Sequence, residues 1–129
     1  MRLLLYLVAL GLAIHGLIHL MGFVAYWPLG KLAELPYKTT LLEGRWAVGH
    51  TGMRLFSLLW LAAAAGFVLA ALGLLLSWDG WQALLLATTL LSLLVTVLDW
   101  AAAYRGAMID VTILAALVIW PRLAAWFGG

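Results

Sequence analysis

LLLYLVALGLAIHGLIHLMGFVAYW, residues 3–27, runs for 25 residues without an Asp, Glu, Lys or Arg. As an α-helix it rises about 37 Å, enough to cross a hydrocarbon core ~30 Å thick. Met1 and Arg2 in front of an apolar run also resemble a secretory signal. The run is longer than a signal core, however, holds His15 and His19, and shows no small-residue cleavage site. It reads as a first membrane helix, closed by Pro28.

Three similar stretches follow. Apolar runs over about 50–76, 81–103 and 107–126 predict three more membrane helices, joined by tight turns at Ser77–Gly80 and Tyr104–Gly106, with the last run interrupted at Pro121–Arg122. Between the first two helices lies the longest polar connection, Leu29–Gly49, with Lys31, Glu34, Lys38, Glu43 and Arg45. Of the 129 residues 67% are hydrophobic and 9% charged, against about a quarter charged in a soluble domain. A small globule exposes too much of its area to hide so much apolar surface from water. The expected fold class is all-α: an integral membrane four-helix bundle, one transmembrane domain over residues 1–129 without an internal repeat.

Trp27, Trp46, Trp78, Trp81, Trp100, Trp120 and Trp126 fall near the expected helix ends, where an indole sits at the membrane interface, and Trp60 falls within the bilayer. Ala62, Gly66 and Ala70 form a small-residue stripe, expected to pack helices within the chain in preference to joining two chains. The net charge of +2 comes from Lys and Arg spread over short loops. These read as topology signals and not as a nucleic-acid surface. Counting them puts the longer connection in the cytoplasm, although arginines belonging to a site would not count, so the orientation stays open. The absence of cysteine excludes disulfides and thiolate chemistry.

The ionisable groups are lopsided. His19 lies eight residues before Trp27, about 12 Å below that interface, and His15 lies one turn deeper. His50 and Arg54 open the second helix, Asp99 ends the third and Asp110 follows on the fourth, all towards the Leu29–Gly49 end. Charges inside a membrane face a partner or a cavity, so Arg54 is expected to pair with Asp99, Asp110 or Glu43. His15/His19 and His50/Arg54 are i,i+4 pairs, and Ser92, Thr96 and Asp99 make a polar stripe on one helix face. Glu43 and Arg45 read as interfacial, and Lys31, Glu34 and Lys38 as solvated loop charges. His-x-x-x-His can bind a metal, but here no Glu adjoins either histidine. The pair reads first as interhelical hydrogen bonding, with no metal site assigned and any cofactor unknown. No nucleophile elbow, phosphate loop or paired-carboxylate motif is present.

Ala9–Phe23 (ALGLAIHGLIHLMGF), Leu41–Leu61 (LLEGRWAVGHTGMRLFSLLWL) and Tyr104–Leu114 (YRGAMIDVTIL) resemble the layout of the DoxX family of small four-helix bacterial membrane proteins. The resemblance implies a bacterial cytoplasmic membrane and association with quinone-coupled redox systems. Together these readings lead to an expected polar pocket open towards Leu29–Gly49 and lined by His15, His19, His50, Arg54, Asp99 and Asp110. Its expected ligand is a small amphipath, a quinone or a lipid headgroup, with the protein a subunit of a membrane redox complex. The alternative is a homo-oligomeric, proton-coupled transporter of a small molecule.

Overall fold

The computed structural model of the protein describes residues 2–33 and 35–126, with side chains as far as Arg122. Glu34 and the side chain of Trp126 lie outside it. The elements run α1 (Arg2–Tyr26), β1 (Thr40–Leu41), β2 (Trp46–Ala47), α2 (Gly49–Leu75), α3 (Trp81–Leu98) and α4 (Trp100–Trp126). All four helices are long and apolar enough to cross a membrane. The chain is an all-α four-helix bundle and an integral membrane protein.

Each helix packs on its neighbour in sequence: α1 on α2, α2 on α3 and α3 on α4. The bundle therefore has an open seam between α1 and α4. Lipid replaces water as the outer solvent, so the usual distribution of side chains is reversed. Leu3, Leu7, Leu10, Ile14 and Leu17 of α1 face outwards. Thr88, Ser92, Thr96 and Asp99 on the third helix face inwards and are buried.

Close approach of α1 to α2 depends on two glycines. A Cβ on Gly16 would lie 2.9 Å from the Ala64 carbonyl oxygen, and one on Gly22 would lie 2.2 Å from the Trp60 ring. The expected small-residue stripe is used inside the chain: Gly66 meets Thr88 of α3 and Ala70 is buried, while Ala62 faces outwards.

The core is layered. One apolar cluster, around Tyr26, Met53, Phe56, Trp60 and Val95, fills the end nearest the long connection. A second, around Leu12, Phe67, Ala70 and Leu85, fills the other end. Along α1, α3 and α4 the residues between these clusters are polar: His15 and His19, Ser92, and Asp110.

Two boundaries depart from the sequence reading. The break between the third and fourth helices falls at Asp99, not at Tyr104–Gly106, which is helical. Asp99 leaves helical geometry at φ −114°, ψ 37°, and its carbonyl accepts from the amides of Ala102 and Ala103, starting α4 at once. The carboxylate is drawn out of the helix by partners described below. The fourth helix also continues through Pro121 to Trp126 without the expected interruption, as membrane helices allow where other groups satisfy the freed carbonyl.

The long connection is folded. β1 and β2 form a small antiparallel hairpin, with Leu42, Glu43 and Gly44 at its tip in left-handed conformation. The Leu42 amide donates to the Leu98 carbonyl, seating the tip on the end of α3, and Leu35 and Leu41 are buried in the cluster beneath.

Substituting Gly22 by Ala forces Trp60 to move, and overpacking of this kind costs about 1–3 kcal/mol. The measurement is equilibrium unfolding in mixed micelles. Gly11→Ala, whose Cβ would meet nothing within 4 Å, is expected to be neutral beside it.

Candidate functional site: a polar layer on an open seam

The polar layer is a continuous hydrogen-bonded cluster drawn from three helices. His15 Nε2 is hydrogen-bonded to Asp110 Oδ1 at 2.9 Å, tying α1 to α4 across the seam. His19 Nδ1 donates to the His15 carbonyl at 2.8 Å, which leaves Nε2 facing Ser92 Oγ at 2.6 Å. Ser92 Oγ in turn lies 2.5 Å from Asp110 Oδ2. Asp110 is fully buried and His19 almost so. The i,i+4 spacing of the histidines makes the local link possible, since His19 reaches the carbonyl one turn back.

Aromatic rings of α2 wall the cluster. Phe67 lies 4.7 Å from the His15 ring and 5.2 Å from that of His19, and Trp60 lies 5.2 Å from His19, centroid to centroid. Gly16 and Gly22 admit these rings. The sequence signal for the whole arrangement is thus a glycine after the first histidine and another three residues after the second.

A cavity of about 470 Å³ opens in the seam beside this cluster, lined by His15, His19, Trp60, Thr96, Arg105 and Ile109. Leu35 of the long connection reaches it, and Ile18 and Ile109, both exposed, stand at its margin. Trp60 Nε1 is the one fully buried side-chain polar atom among the described residues that has no hydrogen-bond partner. On the other side of the His15–Asp110 bridge the seam holds a second, almost wholly apolar cavity of about 420 Å³, between Leu5, Leu12, Leu85 and Leu117.

A second buried acid organises the end of the bundle. Asp99 Oδ2 accepts from Tyr26 Oη and Oδ1 accepts from Lys38 Nζ. Lys38 also lies 5.8 Å from the centroid of the Tyr26 ring. The carboxylate thereby joins α1, the long connection and the α3–α4 joint. Lys38 is therefore not the solvated loop charge its position suggests. A loop lysine gives no sequence signal for this, whereas Tyr26, seven residues after His19, shares its helix face.

Of the six expected site residues, four reach the interior. His15, His19 and Asp110 share one cluster, and Asp99 stands apart with Tyr26 and Lys38. Arg54 and His50 are a correction: both are exposed. Among the described residues Arg54 pairs with no acid, and it lies 5.6 Å from the Trp27 ring centroid. It sits at the interface end of α2, where headgroups and the indole face satisfy a guanidinium at less cost than burial. His50 stacks on Tyr37 and is hydrogen-bonded to it at 2.6 Å. Glu43 and Arg45 are exposed on the hairpin.

His15, His19 and Asp110 are also the group that could hold a metal, their ligand atoms lying within 4.8 Å of one another. These atoms are already matched to one another and to Ser92. Ligands of one zinc at about 2.0–2.2 Å must converge more closely than that, so a cation would have to displace the Ser92 hydroxyl. As it stands the set is a hydrogen-bond cluster. No family model, curated protein or solved structure matches the chain.

Lys38→Met leaves the buried Asp99 with one donor and is expected to cost about 1–3 kcal/mol. Adding Asp99→Asn to it is expected to recover part of that loss. A double-mutant cycle on unfolding free energies measures the coupling, with exposed Lys31→Met as the neutral reference.

Proposed function

We propose that the protein binds a small amphipathic ligand of the quinone class in the seam between α1 and α4, as a component of a redox system in a bacterial cytoplasmic membrane. The observation that carries this reading is the cavity of about 470 Å³ with buried His15 and His19 on its wall. Its size lies in the range of small-molecule sites, which combine an apolar lining with a few fixed polar groups. Ile18, Met21, Leu35 and Ile109 supply the apolar surface. A ligand that enters from the bilayer needs no aqueous path, and the seam between α1 and α4 offers one through lipid. The His15–Asp110 bridge closes the cavity towards the far end of the bundle, which supports retention of a ligand over passage through the chain. The resemblance to the DoxX family points to the same ligand class.

The test uses the protein extracted in mild detergent. Native mass spectrometry is expected to find a co-purifying isoprenoid quinone, and titration with decylubiquinone to give one adduct per chain. Ile109→Trp, which fills the cavity from its margin, is expected to weaken that adduct by about tenfold or more, the effect of one lost contact set. A co-purifying phospholipid in the cavity would replace the quinone with a lipid headgroup. Adducts that never saturate and ignore Ile109→Trp would overturn the reading.

A further inference from the structure

The polar layer fixes where its protons are. Two short contacts, His19 Nε2 to Ser92 Oγ at 2.6 Å and Ser92 Oγ to Asp110 Oδ2 at 2.5 Å, each need one hydrogen between their heavy atoms. Ser92 supplies only one. His19 Nδ1 has a hydrogen already committed to the His15 carbonyl, so a neutral His19 brings none to the first contact. The second hydrogen therefore comes either from Asp110 as a carboxylic acid or from His19 as an imidazolium opposite the Asp110 carboxylate. Both arrangements leave the four side chains with zero net charge, as suits a site at mid-membrane, where an unbalanced charge is costly.

In both arrangements Asp110 Oδ1 is an acceptor, so His15 Nε2 is the donor to it. Protonating His15 on both nitrogens as well would leave the cluster with a net positive charge. No second acid balances it: Ser92 from α3 and Phe67 and Trp60 from α2 are uncharged, and Asp99 is taken by Lys38 and Tyr26. His15 is thus neutral, and its Nδ1 is a bare lone pair. That nitrogen has no hydrogen-bond partner among the described residues, yet Trp60 Nε1 is the one fully sealed atom in that condition. Nδ1 is therefore open, on a ring that lines the cavity.

We infer that the cavity is built for a ligand hydroxyl, donated to His15 Nδ1, and so selects the reduced, hydroquinone form of a quinone-class ligand over the oxidised form. This rests on the proposed function and sharpens it. A quinone offers only acceptor oxygens, and against His15 Nδ1 a carbonyl places lone pair against lone pair. A hydroquinone hydroxyl donates to Nδ1. The selectivity originates in Asp110, which does not touch the ligand; it is a positioning residue that fixes the His15 tautomer, as second-shell carboxylates fix the histidines they hold.

The experiment compares decylubiquinol, decylubiquinone and the di-O-methyl ether of the quinol on the full chain in nanodiscs under anaerobic conditions. One satisfied hydrogen bond in place of an unsatisfied contact predicts that the quinol binds about tenfold more tightly than the quinone. The ether keeps the shape without the donors and is expected to lose that advantage. Asp110→Asn can offer its amide N–H to His15 Nε2, turning Nδ1 into a donor, and is expected to flatten or reverse the preference. Equal affinities for quinol and quinone in the wild-type protein, or tighter binding of the quinone, would overturn the inference while leaving the cavity as a quinone site. Failure of all three probes to bind would overturn the proposed function, and this inference with it. The wild-type comparison stands even where Asp110→Asn does not fold.

Discussion

A carboxyl group at the centre of a bilayer has no water to turn to, and every lone pair and proton it carries must find a partner in the protein. Asp110 and His15 each lie one residue from the midpoint of their spans, Arg2–Tyr26 and Trp100–Arg122. Satisfying Asp110 calls on Ser92 from α3 and His15 from α1, and His15 in turn lends its carbonyl to His19. The glycines of α1 then follow as a requirement, since the histidines stay buried only if the α2 aromatics come close enough to cover them. An apolar core of the same shape would hold four helices together without this apparatus. Its presence supports the proposal that the layer serves recognition.

The two buried acids divide the labour. Asp99 works at the membrane surface, gathering the α3–α4 joint, the end of α1 and the long connection around one carboxylate, and Leu35 of that connection reaches the cavity. Asp110 works in the middle, bridging α1 and α4 across the seam. The seam is consequently open above and below the bridge, with a polar-walled cavity on one side and an apolar one on the other. In the proposed function a ligand approaches from lipid, and the bridge sets how deep it goes.

Much of this was legible in the chain itself. Length and hydropathy specify four membrane helices, because the bilayer leaves few other ways to satisfy the backbone. The i,i+4 histidines and the Ser92–Thr96–Asp99 stripe point inwards because helical periodicity leaves them no other face. Partners were harder to read. Arg54 was expected inside on the ground that a membrane charge seeks an acid, but near a helix end it also has the interface and Trp27 within reach. Lys38 looked like a loop charge and is an interior partner, because a flexible ammonium on a folded connection can reach an acid 61 positions away, a distance no local pattern encodes. The helix break at Asp99 was hidden for a related reason: side-chain partners, and not a Gly or Pro, pull that residue out of the helix.

The account stands most directly on the protonation of one ring. Nitrogen-15 NMR of the histidine side chains, in a protein with three histidines to assign, reads the tautomer of each. The account predicts a neutral His15 with hydrogen on Nε2 and none on Nδ1, beside a His19 that keeps hydrogen on Nδ1. A His15 carrying its hydrogen on Nδ1, or protonated on both nitrogens, would contradict it.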